Sequence, residues 1–245
     1  MNACVNIGSA TLYCGDSLQI VPTLGRLDHW ITDPPYEKIM HDSKSGMKGL
    51  VRPDGSHHWK PLDFAPIDEI RADVVSLASG NCDGWFIAFC TAEGVARWAD
   101  AINPSPIKYK RACVWIKPDS TPQMNGQGPA QGAEMFVCGW AGKGFARWNA
   151  GGKRGVYTHC VNGSERDGLH PTEKPRRLMA EIIVDFTNEG QTILDPFMGT
   201  GSTGVAAVQL GRRFIGIEQN PEYFERAVKR LEQARLQTDL FIEVA

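Results

Sequence analysis

The sequence lacks three features that would assign a protein class directly. It has no excess of positive charge, since 26 lysines and arginines stand against 28 aspartates and glutamates in 245 residues, and any nucleic-acid binding must therefore come from a local basic surface. It has no uninterrupted apolar run of about 18 residues, which a membrane helix requires. Its start has no basic segment followed by an apolar one. We therefore expect a cytoplasmic protein without a membrane segment.

The cysteines and histidines show no metal-binding pattern. The seven cysteines include no Cys-x-x-Cys pair, which argues against a zinc site or a disulfide framework. Several of them, such as Cys90, lie in apolar runs and are expected to be reduced core thiols. His57 and His58 have no cysteine or carboxylate at metal spacing. We expect no metal.

Short apolar runs alternate with segments of helical periodicity. The apolar runs are typical of strands buried on both faces of a sheet and cover residues 11–14, 30–32, 85–90, 112–117, 135–139, 192–194, 214–217 and 240–244. Helical periodicity covers residues 67–78, 92–102, 176–186, 203–210 and 221–236. The alternation predicts an α/β fold in which residues 1–245 form one domain, with a mostly parallel sheet and helices on both faces.

Two stretches, residues 37–60 and 141–169, break this alternation. Both exceed the usual length of a connection and mix glycine, lysine and arginine with single aromatic residues. Basic side chains beside aromatic ones suit phosphates and an unstacked base. The two stretches are candidate nucleic-acid contacts, with solvated loops as the alternative.

A strand, a glycine-rich turn and a helix start follow one another at residues 192–204. Glycines let the backbone approach a ligand, and the free N–H groups of a helix start bind an anionic group. Glu218 ends the next predicted strand, where its carboxylate can accept hydrogen bonds from two ribose hydroxyls. Together with Gly199 and Gly201, it predicts an adenosine-containing cofactor. The alternative is that the glycines only end a strand.

The order of these elements argues against a nicotinamide dinucleotide. A dinucleotide fold that begins at Thr192 needs its further strands after Glu218, and only one more strand fits there. The other strands must come from the N-terminal side, so the sheet is circularly rearranged. Asp195 and Phe197 extend the glycines to D-x-F-x-G-x-G, a signature of S-adenosylmethionine methyltransferases.

Asp33, Pro34, Pro35 and Tyr36 directly follow an apolar run. The prolines stiffen the backbone and carry no N–H, which leaves carbonyls free as acceptors. Asp33 and the Pro34 carbonyl can each accept one N–H of an exocyclic amine, and Tyr36 can stack on a base, a contact worth ~1–3 kcal/mol. The pattern indicates a catalytic site for a base, although prolines also commonly end strands.

Asp33 to Tyr36 precede the glycine turn in the sequence. With this order, the motifs resemble those of the permuted (beta-class) amino-methylating DNA methyltransferases. The resemblance implies a class I S-adenosylmethionine-dependent methyltransferase fold with a Rossmann-like sheet. It assigns cofactor binding to Asp16, His170, Thr172, Lys174, Asp195, Phe197, Gly199, Gly201, Ser202, Thr203 and Glu218.

The resemblance also implies individual roles for these residues. Asp16 is expected at the adenine amine of the cofactor and Glu218 at its ribose. Lys174 or Thr172 is expected near the methionine carboxylate, for which Ser202 and Thr203 are further donors at the helix start.

The implied reaction is direct attack of an exocyclic amine on the activated methyl group, after the base flips out of duplex DNA. In the family, aspartate at the first motif position usually accompanies adenine N6 methylation and serine there cytosine N4 methylation, so Asp33 favours adenine. The sequence has neither the Pro-Cys pair of carbon-5 cytosine enzymes nor a deaminase zinc motif. Alternatives are a cytosine-N4 enzyme, an RNA methyltransferase, a non-catalytic binding protein and, least of all, an oxidoreductase.

Double-stranded DNA is the expected partner. The basic residues expected to contact it are Lys44, Lys48, Arg52, Lys143, Arg147, Lys153 and Arg154. Because residues 141–169 are few for a target-recognition domain, we also expect a homodimer.

Overall fold

Nine strands form one sheet in the part of the chain that the computed structural model describes, namely residues 3–35, 67–120, 128–161 and 174–242, without the side chains of 237–242. The strands are β1 (Ala3–Ile7), β2 (Ala10–Cys14), β3 (His29–Thr32), β4 (Trp85–Cys90), β5 (Lys108–Ile116), β6 (Ala133–Trp140), β7 (Val156–Thr158), β8 (Thr192–Asp195) and β9 (Arg213–Glu218). Their order across the sheet is β1-β2-β9-β8-β3-β4-β6-β5-β7.

Most neighbouring strands run parallel. β2, β9, β8, β3 and β4 form a continuous parallel block. β6 is antiparallel to both of its neighbours, β4 and β5, so β5 again points the same way as β4. β7 pairs parallel with β5, and β1 pairs antiparallel with β2 at the other edge. The expected mostly parallel sheet is confirmed.

Helices cover both faces of this sheet. They are α1 (Ser17–Ile20), α2 (Ile67–Asn81), α3 (Gly94–Ile102), α4 (Arg176–Phe186), α5 (Ser202–Gln209) and α6 (Pro221–Ile242), with a 3-10 helix (Val21–Thr23) after α1. One face packs against α4, α5 and α6 through side chains such as Ile182, Val205 and Leu231. The other packs against α1, α2 and α3 through side chains such as Val74 and Trp98. The predicted α/β architecture is confirmed.

The strand predicted at residues 240–244 is wrong. Residues 240–242 belong to α6. The chain contains no glycine or proline after Pro221 that would end the helix earlier. Conversely, the pattern of apolar runs did not predict β1 and β7, because most residues of these edge strands are exposed.

The cysteines are all free thiols. Cys82, Cys90, Cys113 and Cys138 are buried as expected, whereas Cys4 and Cys160 are exposed. Among the helices that the structure describes, none has the length and apolar character needed to cross a bilayer.

The site is positioned by a switch in the direction of the connections. From β8 the chain passes through α5 to β9 on one side, whereas β4, the strand after β3, lies on the other side. β3 and β8 are neighbours and parallel, so a crevice opens between their carboxyl ends. Asp33 follows β3 and Asp195 ends β8, which places both predicted motifs at this crevice.

Candidate active site

A hydrogen bond joins the two motifs at the crevice. The Thr32 hydroxyl donates to Asp195 Oδ1 at 2.7 Å, and both side chains are buried. Asp195 Oδ1 also accepts the Phe197 N–H at 3.1 Å. The Asp-Pro-Pro segment and the glycine turn are therefore held against each other by the residues that end their strands.

Asp195 thus shapes the turn from inside the protein. Its carboxyl is 1% exposed, and burial raises its pKa to about 7 against the opposing hydrogen bonds of Thr32 and Thr203. Because Thr203 also bonds Asp195, its hydroxyl serves the turn as well. Asp195 and Thr203 therefore hold the glycine turn in shape from its buried side.

Three glycines of the turn have separate structural roles. Gly201 has a φ of +84°, and a Cβ there would lie 2.9 Å from Leu231 Cδ1, so this glycine lets α6 approach. A Cβ on Gly204 would lie 2.5 Å from the Phe214 ring. Gly199 has a φ of +53° but no described atom within 4 Å of a Cβ position. Gly199 therefore leaves space for a ligand, next to the half-buried Phe197.

Glu218 lies beside this open position. Its Oε2 accepts the Gly199 N–H at 3.0 Å, and its Oε1 accepts the Asn220 N–H at 2.7 Å. Burial raises the pKa of Glu218, while these N–H groups oppose the shift. Each carboxylate oxygen can accept a second hydrogen bond, so both remain able to bind a pair of hydroxyls.

Asp16 reaches the same edge from β2. The Gly15 N–H donates to the Glu218 carbonyl at 2.9 Å, which fixes Asp16 beside the end of β9. Asp16 also caps α1: its Oδ1 accepts the Leu18 N–H at 2.9 Å. The structure therefore brings Asp16, Glu218 and the glycine turn together, as the sequence predicts.

The Asp33 carboxylate has two unlike oxygens. Oδ2 accepts a hydrogen bond from Lys174 Nζ at 2.7 Å. Oδ1 is buried and has no hydrogen-bond partner among the described residues. Burial raises the pKa of Asp33, and Lys174 opposes the shift. Pro34 is buried and Pro35 half-buried beside it.

Lys174, the lysine expected near the methionine carboxylate, contacts two carboxylates of the protein. Its ammonium is buried between Asp33 Oδ2 and Glu134 Oε1, 2.8 Å from the latter, and lies 4.9 Å from the centre of the Phe89 ring. A buried ammonium needs paired carboxylates, and these two supply them. The sequence-based search missed Glu134 and its partner Lys117; a carboxylate inside the apolar run of β6 was the available signal.

The basic residues of the 141–161 segment do not gather at the crevice. Lys143 and Arg147 are exposed, and they follow β6, whose antiparallel course ends at the opposite edge, where Trp140 pairs with Trp85. Arg154 is exposed, and it precedes β7.

Lys153 is engaged in ion pairs within the protein. Its ammonium contacts Glu181 Oε1 at 2.7 Å and also pairs with Asp185, to which the Tyr157 hydroxyl donates at 2.8 Å. We call Lys153, Tyr157, His159, Glu181 and Asp185 the loop network, because His159 also contacts Glu181. Its carboxylates neutralise Lys153, so a phosphate contact through this lysine is not supported.

The remaining candidates lie outside the described residues. These are Tyr36, Lys44, Lys48, Arg52, His170 and Thr172. Ser202 is buried at the start of α5. In the ranges that the structure does describe, no group of three histidine, cysteine, aspartate or glutamate residues could hold a metal ion.

The sheet and its site define a class I S-adenosylmethionine-dependent methyltransferase fold. The sequence matches the N6/N4 DNA methylase family over residues 27–229, and the chain belongs to that family.

Solved structures and curated relatives agree with this assignment. The structure of M1.HpyAVI in complex with S-adenosylmethionine is 28% identical, with a TM-score of 0.68 over 91% of this chain and 98% of that one. PvuII DNA methyltransferase (cytosine-N4-specific) has a TM-score of 0.70 over 96% of this chain and 93% of that one, at 17% identity, which shows a likeness of fold alone. Type II methyltransferase M2.DpnII of Streptococcus pneumoniae is 58% identical over 65 residues, or 26% of this chain and 24% of the relative. The match thus spans about a quarter of that relative's length.

Proposed function

We propose that the protein transfers a methyl group from S-adenosylmethionine to the exocyclic N6 of adenine in duplex DNA. The observation that carries the proposal is the Thr32–Asp195 hydrogen bond, which holds the Asp-Pro-Pro segment against the glycine turn. An acceptor for a target amine and a turn open to a cofactor therefore share one crevice.

The residues at the crevice fit S-adenosylmethionine. Gly199 leaves space for close approach, and the Glu218 carboxylate beside it suits the two ribose hydroxyls. Asp16 is proposed to contact the adenine amine, and the start of α5, where Ser202 lies, suits a carboxylate. M1.HpyAVI, which shares the fold, was solved with this cofactor. When bound, S-adenosylmethionine supplies an electrophilic methyl group on a sulfonium.

The chain's own contribution to the reaction is orientation of the amine. Asp33 Oδ1 is buried and accepts no hydrogen bond from the described residues, so it can accept one N–H of the amine. The Pro34 carbonyl is proposed to accept the other, and the nitrogen lone pair then turns out of the ring plane. An amine inside a duplex cannot reach this crevice, so the base must flip out, and Tyr36 is proposed to stack on it.

Adenine is favoured over cytosine by Asp33, because aspartate usually accompanies adenine N6 methylation in the permuted class. The order of Asp33 before Gly199 in the sequence supports assignment to that class. Cytosine N4 methylation is the second candidate, since the same acceptors would orient its amine.

DNA is proposed to lie along the carboxyl edge of the sheet, contacted by residues 37–60. Arg154, which is exposed but not at the crevice, is proposed as a phosphate contact on its charge alone. The active form is proposed to be a homodimer. These assignments rest on charge and on the family resemblance.

The direct test is incubation with methyl-labelled S-adenosylmethionine and unmethylated amplified duplex DNA, followed by mass spectrometry of the nucleosides. We expect labelled N6-methyldeoxyadenosine. Labelled N4-methyldeoxycytidine would instead support the second candidate, cytosine N4 methylation. Label in an RNA control but not in DNA, or no transfer by protein that binds the cofactor, would contradict the proposal.

A further inference from the structure

We infer that Glu134 is a positioning residue for methyl transfer: by pairing with Lys174 it balances the charge around Asp33, so that the carboxylate remains an effective acceptor for the target amine. Lys117 holds Glu134 in this position. The inference rests on the proposed function, and it assigns roles to two residues outside the sequence motifs.

Four charged side chains form a continuous row at the carboxyl edge. Lys117 Nζ lies 2.7 Å from Glu134 Oε2, and Lys174 Nζ lies 2.8 Å from Glu134 Oε1. Lys174 Nζ then donates to Asp33 Oδ2 at 2.7 Å. We call Lys117, Glu134, Lys174 and Asp33 the site network; two cations and two anions make it neutral.

This row begins where two strands meet. Lys117 follows β5, and its N–H donates to the Gly132 carbonyl at 2.8 Å, which joins the end of β5 to the start of β6. Glu134 lies in β6 opposite Trp115. The antiparallel pair β5–β6 thus brings a lysine and a glutamate to the same edge as Asp33.

Charge balance matters because the attacking amine becomes positive. The buried Lys174 ammonium beside Asp33 repels that positive charge. It also attracts the Asp33 carboxylate, which weakens the carboxylate as an acceptor for the amine N–H. Glu134 offsets the Lys174 charge at 2.8 Å, within a side chain that is 3% exposed. Without Glu134, the three remaining members would carry a net positive charge.

Stability does not explain this arrangement by itself. Burying charged groups has a large desolvation cost, and well-packed apolar residues often replace a buried ion pair without loss of stability. The network also ends on a carboxylate whose second oxygen has no partner among the described residues. A set of ion pairs that served packing alone would have no need of that open acceptor.

The inference predicts opposite effects of Glu134 and Lys117 on Asp33. Among the described residues, the charged groups that act on Asp33 or border it are Lys174, Glu134, Lys117 and Asp195. Glu134→Gln removes a negative charge and lowers the pKa of Asp33. Lys117→Met removes a positive charge and raises it.

The experiment measures single-turnover methyl transfer to unmethylated amplified DNA from about pH 5 to about pH 9. Transfer requires ionised Asp33, so the acid limb of the profile should move down by about one pH unit in Glu134→Gln and upward in Lys117→Met. The plateau rate of Glu134→Gln should fall about 10- to 100-fold. The affinity for S-adenosylmethionine should be unchanged in both variants.

Matched controls change the same charges elsewhere. Glu69→Gln in α2 and Lys110→Met in β5 alter exposed side chains and should leave the profile unchanged. If Glu134→Gln does not fold, Lys117→Met still decides, because Lys117 is partly exposed. Unchanged acid limbs, or shifts of both variants in one direction, would overturn the inference.

A second readout does not need activity. The ¹³C resonance of the Asp33 carboxyl, identified by its loss in Asp33→Asn, reports its pKa in the free protein. The same opposite shifts are expected, and their absence would overturn the inference. If the wild type transfers no methyl group, the proposed function fails, whereas this titration still shows whether Glu134 and Lys117 control the ionisation of Asp33.

Discussion

Two ion networks differ in how they end: the loop network includes residues of α4, and the site network includes Lys174, just before α4 in the sequence. The loop network closes on itself: Lys153, Tyr157 and His159 all bond to Glu181 or Asp185. The site network precedes α4 through Lys174 and ends on Asp33, which keeps one buried oxygen without a partner among the described residues. A closed network fastens the β7 segment to a helix, whereas an open one presents an acceptor. The difference separates a structural set of charges from a functional one.

The largest expected effect on stability comes from breaking the loop network. Asp185→Ala removes the partner of the Tyr157 hydroxyl and of Lys153, so the free energy of unfolding should fall by about 3 kcal/mol. Urea titration measures this loss, and Asp100→Ala, an exposed aspartate in α3, is the control. The transfer rate per folded molecule should stay near that of the wild type. A rate loss as large as that of Glu134→Gln would erase the distinction between the networks.

The affinity for S-adenosylmethionine should depend on Glu218, at the carboxyl edge of the sheet, and not on either ion network. Glu218→Ala removes an acceptor for the ribose hydroxyls and should weaken S-adenosylmethionine binding by ~1.5–3 kcal/mol. Calorimetry measures the affinity, with Glu222→Ala in α6 as an exposed control. An unchanged affinity would show that the ribose lies elsewhere.

A pH dependence of stability is expected at Asp195, which is buried among hydrogen-bond donors. Burial raises its pKa to about 7, so the folded protein holds a proton there that the unfolded chain, with an ordinary value near 3.8, has released. Stability should therefore fall as the pH rises from about 4 through about 7, by at most about 1.4 kcal/mol per pH unit. Asp195→Asn keeps the acceptor for Thr32 and should flatten this dependence in urea titrations. If the stability of the wild type and of Asp195→Asn changed equally with pH, Asp195 would not be the protonated group.

The central parts of the site could be predicted because they are local in the sequence. A carboxylate or glycine turn directly after an apolar strand lies at the carboxyl edge of a parallel sheet, whatever the order of the strands. Asp33, Gly199 and Glu218 follow that rule. The fold class followed from the same alternation of strands and helices.

The parts that could not be predicted depend on pairing between distant strands. The direction of β6 cannot be inferred from its composition, and its antiparallel course takes Lys143 and Arg147 away from the crevice while bringing Glu134 to it. Nothing local in the sequence reveals that Lys174 lies between Asp33 and Glu134. Long-range register, rather than residue type, decides both outcomes.

The most direct test of the account separates cofactor binding from methyl transfer in Asp33→Asn. This variant keeps the size of the side chain but replaces the charged acceptor, and Asp100→Asn in α3 is its matched control. We predict an S-adenosylmethionine affinity close to that of the wild type by calorimetry and a single-turnover rate at least about 100-fold lower. Near-normal transfer by Asp33→Asn would contradict the assignment of Asp33 as the residue that orients the target amine.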